Sequence, residues 1–134
     1  MTRGKVFLVD DDPSVRRALE RLIRSAGYDV QPLADAESYL ALSVPGEPAC
    51  LVLDMRMSGL GGLDLQAELD RRGVKLPIIF VSVHGDVSTT VRAMKAGAVD
   101  FLTKPVDGEL LLARVHAALA RIPHSCVDRS CAAH

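Results

Sequence analysis

Two aspartates, a third aspartate, a serine and a lysine each stand at the end of an apolar run. The first run is KVFLV (5–9), followed at once by Asp10, Asp11 and Asp12; CLVLD (50–54) ends in Asp54. PIIFVS (77–82) ends in Ser82, and VDFLT (99–103) ends in Thr103 with Lys104 next. Adjacent carboxylates repel one another and are costly to gather unless a cation compensates them. Hard carboxylate oxygens suit a hard divalent cation such as Mg²⁺, which keeps several waters and takes few protein ligands. A carboxylate, a hydroxyl and an ammonium beside such an ion make up the equipment for phosphoryl chemistry. The carboxylate can attack phosphorus, while the hydroxyl and the ammonium hold its oxygens.

That chemistry requires the run ends to meet, so the elements come next. The runs named, with YDVQPL (28–33), read as five strands. Three are nearly all apolar, as central parallel strands covered on both faces should be. YDVQPL carries Pro32 and belongs at an edge. Helical patterns lie between them. The first has Asp12 as N-cap, Pro13 in its first turn and Gly27 as its stop. Its stripe of Val15, Leu19, Leu22, Ile23 and Ala26 leaves Arg16, Arg17, Glu20 and Arg24 on other faces. Further helices are expected over 35–43, 62–72, 87–96 and 107–121, with Gly73 and Gly97 closing the third and fourth. Strictly alternating strands and helices imply an α/β, doubly wound (βα)5 domain with right-handed crossovers and helices on both faces of a parallel sheet. In the strand order 2-1-3-4-5, the first and third strands flank the switch point where such sheets bind ligands. That order gathers Asp10, Asp11 and Asp54, with Ser82 and Lys104 arriving from the other side.

Composition narrows the class. A chain of 134 residues suits one domain with a core of its own, and 4% aromatics without tryptophan makes that core aliphatic. A net charge of −1 leaves no basic footprint for nucleic acid. No apolar run reaches membrane-spanning length and Asp10 comes too early for a signal peptide, so the expectation is a cytoplasmic protein without membrane contact. Cys50, Cys126 and Cys131 have no framework spacing, which fits a reducing compartment. The helical and strand patterns cease after 121, and 122–134 reads as a tail or the start of an interdomain linker.

The segments VDDDPSVRRAL, LVLDMRMSGLGGLDL, VSVHGD and MKAGAVDFLTKP together resemble the receiver domain of bacterial two-component response regulators, over about residues 4 to 121. The resemblance implies a flavodoxin-like, CheY-like fold and assigns roles by position. Asp54 would accept a phosphoryl group from a sensor histidine kinase. Asp11 and Asp54 would ligate Mg²⁺ directly, with the backbone carbonyl of Arg56, and Asp10 through water. Ser82 and Lys104 would hold the phosphoryl oxygens, and Phe101 would turn inward on activation. The Lys104–Pro105 bond would be cis to aim the lysine. Two positions depart from the family pattern. Ser58 replaces a usual proline, which implies a looser loop, and Val83 stands where a smaller residue is usual, which would narrow access to Asp54. His84 is the neighbouring candidate for tuning the lifetime of the phosphorylated form. Val91 and Lys95 mark the face through which a phosphorylation-dependent homodimer would form, using the fourth helix and fifth strand.

Plainer readings compete at several of these positions. Asp12 is a helix cap rather than a metal ligand. Phe101 would be ordinary core but for its place two residues before Thr103, His84 an ordinary solvated loop residue, and Val91 and Lys95 half-exposed surface. In the tail, His124, Cys126, Cys131 and His134 lie too close together for paired zinc ligands. The terminal CAAH lacks the basic stretch of a prenylation site, and Gly59, Gly61 and Gly62 form a turn without a phosphate-loop lysine.

Three functions follow: a phosphorylation-controlled switch that turns over no metabolite, an aspartyl-nucleophile phosphohydrolase, and a receiver-like module that is never phosphorylated. The phosphohydrolase is disfavoured because haloacid-dehalogenase-type phosphatases, which share the strand-end nucleophile, commonly carry an aspartate as general acid two positions later, where this chain has Arg56, and arginine keeps its proton. The never-phosphorylated module is disfavoured because the acceptor, the acid pair and the lysine are all retained. HGDVSTTVRAMKAGAVDFLTKP most resembles FixJ/LuxR-type regulators, which implies transcriptional output through a separate DNA-binding domain. A receiver acting alone by protein contact is the alternative.

Overall fold

A computed structural model of the chain describes residues 4–42, 49–54, 61–74, 76–82, 87–98, 100–104 and 106–120. Ten elements alternate: β1 (Lys5–Val9), α1 (Pro13–Ser25), β2 (Asp29–Leu33), α2 (Ala36–Leu40), β3 (Ala49–Asp54), α3 (Gly62–Arg71), β4 (Ile78–Ser82), α4 (Val87–Lys95), β5 (Asp100–Thr103) and α5 (Gly108–Ala120). All strand pairs are parallel, in the order β2-β1-β3-β4-β5. The expected (βα)5 arrangement is therefore the one formed.

Three of the helices, α1, α2 and α5, begin on an aspartate cap. The Asp12 carboxylate accepts the Ser14 and Val15 N–H groups, Asp35 accepts Ser38 N–H, and Asp107 accepts those of Glu109 and Leu110. These are donors that a helix N-terminus leaves unpaired. At the other ends Gly27, Gly73 and Gly97 take φ of 97°, 75° and 106°, a region closed to most side chains. The second helix is shorter than its sequence pattern, ending at Leu40 where 43 was expected.

Alternation along the strands sorts the core into two layers, and the sheet is the wall between them. On one face Val6, Leu8, Cys50, Val52, Ile79 and Val81 pack with Leu19 and Ile23 of α1 and with Leu111, Val115 and Ala118 of α5. On the other, Phe7, Val9, Leu51, Leu53 and Phe80 pack with α2, α3 and α4. The α1 stripe read from the sequence is the face that packs, with Val15, Leu22 and Ala26 at its margin.

The β2 edge is the less regular one. Asp29 N–H donates to the Gly4 carbonyl, and the Leu33 carbonyl accepts from Asp10 N–H, so odd-numbered residues of β2 face β1. The backbone groups of Val30 and Pro32 therefore point outward, while the Val30 side chain is buried in the core. The Val30 carbonyl accepts a 2.6 Å hydrogen bond from Arg24 Nη2.

Two buried polar groups set expectations. Tyr39, on α2, packs edge-on to Phe7 at 5.3 Å, yet its buried hydroxyl finds no hydrogen-bond partner among the described residues. Tyr39→Phe should therefore be neutral or should stabilise the fold by about 1 kcal/mol, read as a raised urea midpoint. A marked loss of stability would show that the hydroxyl is satisfied. Burial pushes the Cys50 thiol up to about 12. Peptide mapping after brief iodoacetamide treatment at pH 8 should find Cys50 unmodified in the native protein and alkylated in urea.

Candidate functional site

The register decides which side chains meet. Val9 of β1 is level with Leu53 of β3, so one residue further Asp10 comes level with Asp54. Asp54 pairs with Val81, which places Ser82 one step beyond, and Ser82 pairs with Thr103 just before Lys104. Each apolar strand thus delivers its last polar residue to the same rim of the sheet, at the switch point between β1 and β3.

The geometry there is tight. One carboxylate oxygen from each of Asp10, Asp11 and Asp54 lies within 4.8 Å of the others. Asp10, Asp54 and Ser82 are buried and Asp11 is exposed. Lys104 Nζ donates to Asp10 Oδ2 at 2.9 Å and stands 3.5 Å from Asp54 Oδ2. Its backbone N–H donates to the Ser82 carbonyl at 2.7 Å, which fixes the root of the side chain. Burial works against the Lys104 ammonium, but its hydrogen bond to Asp10 and the charges of Asp10 and Asp54 outweigh that, and its pKa is raised. The lysine is therefore a permanent cation at neutral pH.

Asp10 is held at three of its atoms. Oδ1 accepts Asp12 N–H at 2.9 Å, Oδ2 accepts from Lys104, and the carbonyl accepts Arg16 Nη1 at 2.8 Å. Arg16 is the site residue that the sequence pattern missed, since it reads there as ordinary helix surface. Its signal was available: a long side chain one turn into α1 leans back toward the helix N-terminus, where Asp10 lies.

The donor set fits a hard divalent cation. All three candidate ligands are carboxylates, Lys104 offsets one of their charges, and Asp11 leaves the cluster open on its solvent side. Asp10, Asp11, Asp54, Ser82 and Lys104 are thus brought together, and Asp12 serves as a cap, as its plainer reading had it. Phe101 is half-buried on β5, its ring tilted 33° to that of Phe80 with centroids 6.2 Å apart. Val91 and Lys95 lie on the exposed side of α4, and Val91 is joined there by Met94, which the sequence reading did not single out. Arg56, Ser58, Val83, His84, Pro105, Arg121 and the tail at 122–134 lie outside the described residues.

Comparison with known proteins settles the family. The profile of the response regulator receiver domain matches residues 6–116. The chain belongs to the response-regulator receiver family. Among its relatives, nodulation protein W of Bradyrhizobium diazoefficiens is 50% identical over 120 residues, which are 90% of this chain and 53% of that protein. Response regulator protein TodT of Pseudomonas putida is 44% identical over 118 residues, 88% of this chain and 52% of TodT. The receiver thus spans about half the length of the curated relatives it matches. The crystal structure of FixJ-N superposes with a TM-score of 0.82 at 34% identity, covering 92% of this chain and 98% of FixJ-N. Receivers of this kind are signalling domains of two-component systems, and no described helix is long and apolar enough to cross a membrane.

Crowding of like charges gives the site a sign test. With EDTA present, Asp54→Asn should raise stability by about 1 kcal/mol, because it relieves repulsion within the cluster. Lys104→Met should lower stability by about 3 kcal/mol, because it strands the buried Asp10 charge. Urea denaturation of the two variants checks the pair, and equal shifts of the same sign would mean that charge is not what organises the rim.

Proposed function

We propose that this receiver accepts a phosphoryl group on Asp54 from the phosphohistidine of a sensor histidine kinase, and that the modification switches an output. The observation that carries the reading is the grouping of Asp54, Asp10 and Lys104 on one rim, with the ammonium 2.9 Å and 3.5 Å from the two carboxylates. An Asp54 carboxylate oxygen forms the new bond to phosphorus as the phosphorus–nitrogen bond to the kinase histidine breaks, and the imidazole leaves with the electron pair. Lys104 turns from its carboxylate partners toward the phosphoryl oxygens, and the Ser82 hydroxyl donates to another. Asp11 and Asp54, with the Arg56 carbonyl, would hold Mg²⁺, and Asp10 would reach it through water. When bound, the ion neutralises charge on the phosphoryl oxygens.

Phe101 is assigned to the switch, Val83 and His84 to access and lifetime, and Val91 and Lys95 to a homodimer face. FixJ of Azorhizobium caulinodans and TdiR of Thauera aromatica, 43% and 46% identical to this chain and both named transcriptional regulatory proteins, support an output in transcription. DNA would be reached through a separate output domain, in the cytoplasm, and the tail at 122–134 would lead toward it. The chain would turn over no metabolite beyond making and losing its own acyl phosphate.

Incubation with acetyl phosphate and Mg²⁺ should add one phosphoryl group by intact mass, and both Asp54→Asn and EDTA should abolish it. An adduct that persists in Asp54→Asn would move the acceptor elsewhere. If none forms on the parent protein, Val83→Ala tests whether the valine blocks the donor. Failure of that variant as well, and with a phosphorylated kinase, would sink the phosphoacceptor reading.

A further inference from the structure

The described part of helix α4 is lightly packed. Of its described side chains, at 90–95, only Ala93 is buried, and a methyl group contributes little apolar surface. Val91 and Met94, the larger apolar residues among them, are 43% and 42% exposed and contribute less to holding the helix than buried side chains would. By contrast, α3 beside it buries Leu65 and Leu69.

The same face of α3 buries Gln66, a primary amide at 4% exposure amid an apolar stripe. Its Nε2 donates to the Ala93 carbonyl at 3.0 Å. That carbonyl also accepts Ala98 N–H at 3.1 Å, while Gly97 N–H donates to Met94. This is the paired bonding of a glycine-terminated helix end. The amide of Gln66 therefore grips α4 at the point where its last turn is closed. At its other end, α4 begins at Val87, a short link beyond Ser82 on the rim of the sheet.

We propose that Gln66 is a positioning residue for the switch: its hydrogen bond to Ala93 holds α4 in the unphosphorylated position, and phosphoryl binding at the rim works against that bond. The part concerning phosphoryl binding rests on the function proposed above, and the tie itself does not. Over its described side chains the helix is fastened by one buried methyl group and one amide, a light hold that a shift can overcome, and the shift would re-aim Val91 and Met94.

Gln66→Met keeps the side-chain length and removes the donor, and Gln66→Asn keeps the amide but is too short to reach. In hydrogen–deuterium exchange without phosphoryl donor, both should raise exchange of the 96–98 amides about fivefold, the worth of one buried hydrogen bond. The amides of β1 and β3 should be unchanged, which separates a loosened α4 from a loosened fold. Unchanged exchange at 96–98 overturns the tie. Beryllium fluoride, a non-covalent stand-in for the phosphoryl group, should bind the variants up to about fivefold more tightly, since the competing position has lost its support. Faster exchange with unaltered beryllium fluoride affinity would make the bond structural only and overturn the switch role. Absence of beryllium fluoride binding to the parent protein would count against Asp54 as acceptor, and the exchange data would still decide the tie.

Discussion

Buried negative charge at the rim of the sheet is the constraint on which the rest of the molecule turns. Asp10 and Asp54 are brought level by the β1–β3 register, and both lie out of solvent. Placing two carboxylates there costs free energy that the aliphatic core must supply. Three contacts on Asp10 and the Lys104 ammonium reduce that cost without removing it. The residual imbalance is useful: a site kept short of positive charge is poised to take up a cation.

The two faces of the sheet answer to this rim differently. Long apolar side chains of α1 and α5 fill one layer, and they give that side the character of a foundation. The opposite layer grows lighter toward α4, whose described part buries a single alanine. Stability is thus distributed unevenly by design of side-chain size, with the heavier packing behind β1 and β3 and the lighter packing beyond β4.

Much of this was legible in the sequence, and the reasons are specific. Apolar runs ended by Asp10, Asp54, Ser82 and Lys104 marked both the strands and the rim, because a doubly wound sheet points all its strand ends one way. Asp12 was legible as a cap for the same local reason that it works as one. Arg16 was legible only as a long side chain leaning toward the start of its helix, and Gln66 not at all. Each is defined by a bond to a backbone carbonyl, at Asp10 and Ala93, and a carbonyl leaves no mark in the residue alphabet. The brevity of α2 was hidden too, since five residues from 36 to 40 carry too little periodicity to fix an end.

The outer edge of β2 has a consequence for how these molecules meet one another. A bare edge strand offers alternating donors and acceptors on which a further strand can grow. Here the two residues whose backbone groups face outward are Val30, whose carbonyl is taken by Arg24, and Pro32, which has no N–H to give. One acceptor and one donor are thus withheld from any strand that would dock there. The β2 edge is a poorer template for a sixth strand than an unmodified edge would be.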